Sequence, residues 1–203
     1  MAKLHLKPPE AMVVHCIDHR FQPAFREFIR HHLGFQEGEY IPLVVPGSVA
    51  SVGTSISSLM PKNFKVFKDH LQVVFDSNQV RRVVLINHED CRGYASLMRR
   101  LQRFVKIDLS KKQIEDMKFA TGVIRQIAQR FTQLQFELYM ACIGADNEVT
   151  FQDVLTGEMI LFEKHPSPAD VPPKEPAGER AEPTTQKEKP QANRRGSEDN
   201  VLS

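Results

Sequence analysis

Four short apolar runs punctuate the first 145 residues of this chain: Ala11–Cys16, Tyr40–Val45, Arg82–Asn87 and Phe136–Ile143. None alternates strictly between apolar and polar positions. A strand covered by helices on both faces has this continuous character, whereas a half-solvated strand alternates. The intervening segments carry helical spacing instead. Phe21 to Leu33 places Phe21, Phe25, Phe28, Ile29 and His32 on one side, with Gly34 as the C-terminal cap. Lys62 to Phe75 does the same with Phe64, Phe67, Leu71, Val74 and Phe75. Further helices are predicted over Tyr94–Val105 and Ser110–Phe131, the latter opened by a capping box of Ser110 and Gln113. Val149–Val154 and Met159–Phe162, joined by Leu155-Thr156-Gly157-Glu158, predict a terminal hairpin. Gly47 to Ser58 is small and polar, a loop or the start of a helix. The order β-α-β-α-β-α-α-β predicts an α/β fold, a mainly parallel sheet flanked by helices with a C-terminal β-hairpin at its edge.

Composition changes sharply near His165. Residues 165–203 contain no aromatic side chain and are rich in Pro, Glu, Lys and Ala. Such a stretch buries too little apolar surface to offset the entropy of ordering, so a disordered tail is expected after a folded domain over residues 1–164. The formal charge of +2 argues against a nucleic-acid or anionic-membrane partner. The basic cluster Met98-Arg99-Arg100-Leu101-Gln102-Arg103 has the spacing of a solvated helix face. No stretch approaches the ~18 consecutive apolar residues of a transmembrane helix. Residues 1–10 have no apolar core of the kind a secretory signal needs. Three cysteines are an odd number for a disulfide framework, which predicts reduced thiols and a cytoplasmic chain.

Two motifs carry chemistry. Cys16-Ile17-Asp18-His19-Arg20 stands at the end of the first predicted strand, and His88-Glu89-Asp90-Cys91 follows the third. Parallel sheets bind ligands beyond the carboxyl ends of their strands. Neighbouring strands lie ~4.8 Å apart, so two strand ends and one short turn can gather three ligands around an ion. Two thiolates and an imidazole suit zinc, leave a fourth tetrahedral position open, and disfavour magnesium or calcium. Asp18 is close enough in sequence to reach either the metal or its water, and Arg20 can hold that carboxylate in a fork. Held off the metal, Asp18 orients the water; released, it becomes the fourth ligand. Cys142 lies inside the fourth strand and reads as a small buried hydrophobe. His15 neighbours Cys16 on a strand and so faces the opposite side, a structural position. His15, His19, His31 and His32 are the proton-shuttle candidates, by proximity in sequence alone.

At these residues the chain resembles the β-class carbonic anhydrases, which carry a Cys-x-Asp-x-Arg motif after the first core strand and a His-x-x-Cys motif after a later one. The resemblance runs from about Met12 to Phe162, and Asp153-Val-Leu-Thr156-Gly157-Glu158 is similar to a strand end near that family's C-terminus. It implies one Zn2+ per chain held by Cys16, His88 and Cys91, with Asp18 and Arg20 as the catalytic dyad. It also implies reversible hydration of carbon dioxide to bicarbonate, by a zinc-activated water, in a homodimer. Two places depart from the family's pattern. Val45-Pro46-Gly47-Ser48 stands where an asparagine-containing loop is usual, and Arg92-Gly93 where Gly-Gly is usual. Two other readings share the scaffold: a hydrolase of carbon disulfide or carbonyl sulfide, and a catalytically silent zinc-binding regulatory protein in which Asp18 closes the site. A redox role for the cysteines lacks a Cys-x-x-Cys pair.

Overall fold

The computed structural model describes residues 7–53, 61–77, 79–102, 106–128 and 133–160. The expected tail at 165–203 lies outside them, as do residues 54–58 of the loop and the far ends expected for the last two helices and the hairpin. The described chain forms β1 (Ala11–His15), α1 (Gln22–His31), β2 (Tyr40–Val44), α2 (Pro61–Ser77), β3 (Arg82–His88), α3 (Arg92–Gln102), α4 (Leu109–Ile127), β4 (Gln135–Ile143), β5 (Val149–Asp153) and β6 (Met159–Ile160). A short 3-10 turn, Ser48–Val52, lies in the loop after β2.

The sheet order is β2-β1-β3-β4-β5-β6. β2, β1, β3 and β4 run parallel, and β5 and β6 turn back antiparallel as the expected hairpin. Met12, Val14, Val83, Leu85, Leu138 and Met140 pack on one face against Phe67, Leu71 and Phe75 of α2 and Met117, Ala120 and Ile124 of α4. Val13, Val84, Ile86 and Ala141 pack on the other against Phe25, Phe28 and Ile29 of α1. Helices on both faces are why β1 and β3 carry apolar side chains at consecutive positions. β2 is half-exposed at one edge of the sheet, with Pro42 opposite Val13.

α4 starts earlier than the capping box of Ser110 and Gln113 predicts. Asp108 caps it, its carboxylate accepting the Ser110 and Lys111 backbone N–H groups at 3.1 and 3.2 Å. An anion at a helix N-terminus also favours the macrodipole, and Gln113 is buried rather than reaching back. At the amino end of β3, Arg82 forks Glu137 (Nε to Oε1 2.8 Å, Nη2 to Oε2 3.1 Å) and stacks on Phe35.

Phe28 is the centre of the α1 face, fully buried, stacked on Phe151 at 3.9 Å between ring centroids and edge-on to Tyr139 at 4.9 Å. Phe28→Ala is expected to cost about 3–5 kcal/mol of stability, read as a lower urea midpoint with an unchanged slope.

Candidate metal centre

Parallel register brings the two motifs together. His15 pairs with Ile86, so Cys16 leaves β1 beside the last residues of β3. His88 is itself the last residue of β3, one position later than the expected strand end. A tight turn follows in which Asp90 takes φ 50. Cys91 then caps α3: its carbonyl accepts Ala95 N–H at 2.9 Å and its Sγ accepts Tyr94 N–H at 3.4 Å. Glu89 staples this turn to β4, its backbone N–H donating to the Ala141 carbonyl and its carboxylate accepting Ile143 N–H, at 2.9 and 2.8 Å.

The three candidate ligands converge. Cys16 Sγ, Cys91 Sγ and one nitrogen of His88 lie within 4.8 Å of one another, and all three residues are buried. The sulfurs are 3.7 Å apart. Two sulfurs each ~2.3 Å from a tetrahedral zinc would be separated by about 3.8 Å. His88 Nδ1 lies 2.7 Å from the Glu89 carbonyl, an oxygen that can only accept, so Nδ1 carries the proton. Nε2 is then the lone-pair nitrogen, and it is buried with no hydrogen-bond partner among the described residues. An orphaned, buried acceptor beside two thiols fits a soft divalent cation, and zinc matches the donor set and spacing.

The thiols are tuned from all sides. A hydrogen bond from the Cys91 thiol, supported by the neighbouring His88 ring and then by the Asp18 and Gly47 backbone N–H groups, pulls Cys16 down to about 4 against the opposing effect of burial. The Gly47 N–H lies 3.3 Å from Cys16 Sγ. The same neighbouring sulfur pushes Cys91 up, so the pair holds one proton between them.

Asp18 stands apart from the three-residue cluster and is held by Arg20. Arg20 Nη2 donates to Asp18 Oδ2 at 2.8 Å, and Arg20 Nε and backbone N–H each to Oδ1 at 3.1 Å. The guanidinium beside it holds the Asp18 carboxyl down at about 2. Arg20 also reaches the second motif, donating from Nη1 to the Asp90 carboxylate at 2.8 Å and from Nη2 to the Asp90 carbonyl at 3.0 Å. One side chain therefore ties the Cys16–Arg20 loop to the His88–Cys91 turn.

Residues 8–140 match the sequence model of the family described as "Putative carbonic anhydrase". The chain belongs to that family. No curated protein matches it significantly. Among solved structures, β-carbonic anhydrase isoform I of Trichomonas vaginalis is 17% identical, with 74% of this chain and 86% of that one covered at a TM-score of 0.45. The carbonic anhydrase of Streptococcus mutans is 16% identical, with 79% and 86% covered at 0.45. An apo carbon disulfide hydrolase is 11% identical, with 75% and 78% covered at 0.34. The family assignment rests on the sequence match.

Within this carbonic anhydrase family member, several expectations acquire a place. Cys142 is half-buried, packs against the α2–α4 face and takes no part in the cluster. His15 is structural: its Nδ1 donates to the Cys16 carbonyl at 3.0 Å, its ring meets Phe25, and burial pushes it down. His31 and His32 sit at the C-terminal end of α1, where His31 meets Glu27 and His32 stacks on Phe28 and meets Tyr139 edge-on. His19 is exposed within the first motif. Arg92 and Arg99 are exposed, and Met98 is buried beside Cys16, Cys91 and Tyr94.

The sequence reading missed what holds the walls. Tyr94 is fully buried and donates its hydroxyl to the buried Asp116 at 2.6 Å, and burial together with that carboxylate pushes the phenol far up. Asn87 and Ser48 are buried with side-chain atoms that find no partner among the described residues. Gly93 touches the loop so closely that a Cβ there would lie 2.7 Å from Gly47 N. Gly47 itself takes φ 73. In a helix, Gly to Ala normally stabilises by about 1 kcal/mol. Gly93→Ala is expected to reverse that sign, losing about 1–3 kcal/mol to overpacking, seen as a lower Tm.

Proposed function

We propose that this chain is a zinc-dependent β-class carbonic anhydrase that interconverts carbon dioxide and bicarbonate, with one Zn2+ held by Cys16, His88 and Cys91. The observation that carries the reading is the preformed donor triangle: two sulfurs at a tetrahedral edge length and a buried imidazole nitrogen with no hydrogen-bond partner among the described residues. Bound there, the ion supplies Lewis-acid activation of water for attack on carbon dioxide.

The protein residues supply the rest. Asp18, kept as an anion by Arg20, accepts a hydrogen bond from the attacking water and aligns it. Arg20 and its own loop hold that carboxylate outside the three-residue cluster, so an ion held by the cluster would keep a position for water or substrate. This favours an open catalytic site over the closed, silent one in which Asp18 would ligate. Arg20, anchored on Asp90, acts on Asp18 rather than on substrate. The three cysteines are free, which supports a reducing, cytoplasmic setting. No described helix is long and apolar enough to cross a membrane. A homodimer, as the family resemblance implies, completes the reading.

Zinc content and stopped-flow carbon dioxide hydration of the wild type, Cys91→Ser and Asp18→Asn test it. The wild type is expected to carry about one zinc per chain and to turn over, Cys91→Ser to lose the metal, and Asp18→Asn to keep zinc while losing about 100-fold or more in kcat. Wild type that holds zinc but hydrates nothing across about pH 7 to 9 defeats the enzymatic reading. Carbonyl sulfide and carbon disulfide, offered in the same assay, identify the related hydrolase if they alone are consumed.

A further inference from the structure

Asp116 is fully buried, and nothing in the proposed reaction uses it. It lies on α4, which contributes no candidate ligand. Its Oδ2 accepts the Tyr94 hydroxyl at 2.6 Å, and Lys112 Nζ pairs with its Oδ1. Gly53 presses against it from a third side, so close that a Cβ at that position would lie 2.4 Å from Oδ2. A buried carboxylate is costly unless it is paired and hydrogen-bonded, and here a cation and a phenol provide both.

Among the described residues, two segments that meet Asp116 also contact the sulfurs. Tyr94 is the third residue of α3, and its backbone N–H donates to Cys91 Sγ. Gly53 closes the short turn that opens at Gly47, whose N–H donates to Cys16 Sγ. One carboxylate on a third element therefore fixes both N–H donors relative to the pair of thiols. N–H···S contacts stabilise charge on sulfur, and a small displacement of a donor weakens them steeply.

We propose that Asp116 is a positioning residue of the metal centre, acting through Tyr94 and the Gly47–Gly53 turn on the donors that face Cys91 and Cys16. The proposal rests on the zinc reading above. Groups that orient metal ligands from outside the coordination sphere typically change metal affinity by about 10- to 100-fold.

The test uses full-length wild type, Tyr94→Phe, Gly53→Ala, Asp116→Asn and Glu137→Gln. Zinc affinity is measured by competition with a chromophoric chelator, and thiolate-to-metal charge-transfer bands are recorded after loading with cobalt(II). Tyr94→Phe and Gly53→Ala are expected to weaken zinc binding about 10- to 100-fold and to shift the cobalt bands, with Asp116→Asn following them where it folds. Glu137→Gln breaks the fork at the other end of the sheet. It is expected to lower Tm while leaving affinity and spectrum unchanged. If Tyr94→Phe and Gly53→Ala lower only Tm, Asp116 is a structural residue and the proposal is overturned while the zinc reading stands. A wild type that binds neither metal overturns both.

Discussion

Two sulfurs buried 3.7 Å apart cannot both be anionic without help. At an effective dielectric of ~20, like unit charges at about 4 Å repel by about 4 kcal/mol. A shared proton relieves this partly; a divalent cation at the apex relieves it fully and turns repulsion into attraction. The rest of the site serves this constraint. Parallel pairing of β1 with β3 brings Cys16 beside His88. Glu89 pins the turn that brings Cys91 round, and the Glu89 carbonyl settles which imidazole nitrogen faces the sulfurs.

Arg20 extends the same logic one layer outward. Its fork holds Asp18, and its remaining donors reach the Asp90 carboxylate and carbonyl in the other motif. The two loops are thus joined by a contact that involves no ligand atom. Ordering them is a cost met during folding, which would leave more of a bound ion's binding free energy to appear as affinity. The same clasp holds Asp18 beside the first motif without letting it join the cluster.

The parts legible in the sequence were those written in local pattern. Continuous apolar runs located the parallel strands because helices cover both faces. The cluster of Cys16, His88 and Cys91 was legible because each member sits at or just past a strand end. Boundaries shifted where a side chain chose among competing donors: Asp108 rather than Ser110 caps α4. His31 and His32 are near the first motif by number, but α1 sets His31 against Glu27 and His32 against Phe28 and Tyr139 rather than at the cluster. Contacts between elements left no local trace. Asp116 meets Tyr94 across 22 residues, and Gly93 meets Gly47 through nothing but the absence of a Cβ. No periodicity encodes such pairs; only the packing of α3 and α4 on one loop creates them.

Pro42 carries a consequence for how molecules of this kind meet. β2 is the exposed edge of the sheet, five residues long, and its central residue has no amide hydrogen to give. A neighbouring strand laid along that flank would find a gap in the ladder halfway down. Ribbon-like growth from this margin is thereby discouraged, and association there would have to be mediated by side chains rather than by backbone continuity.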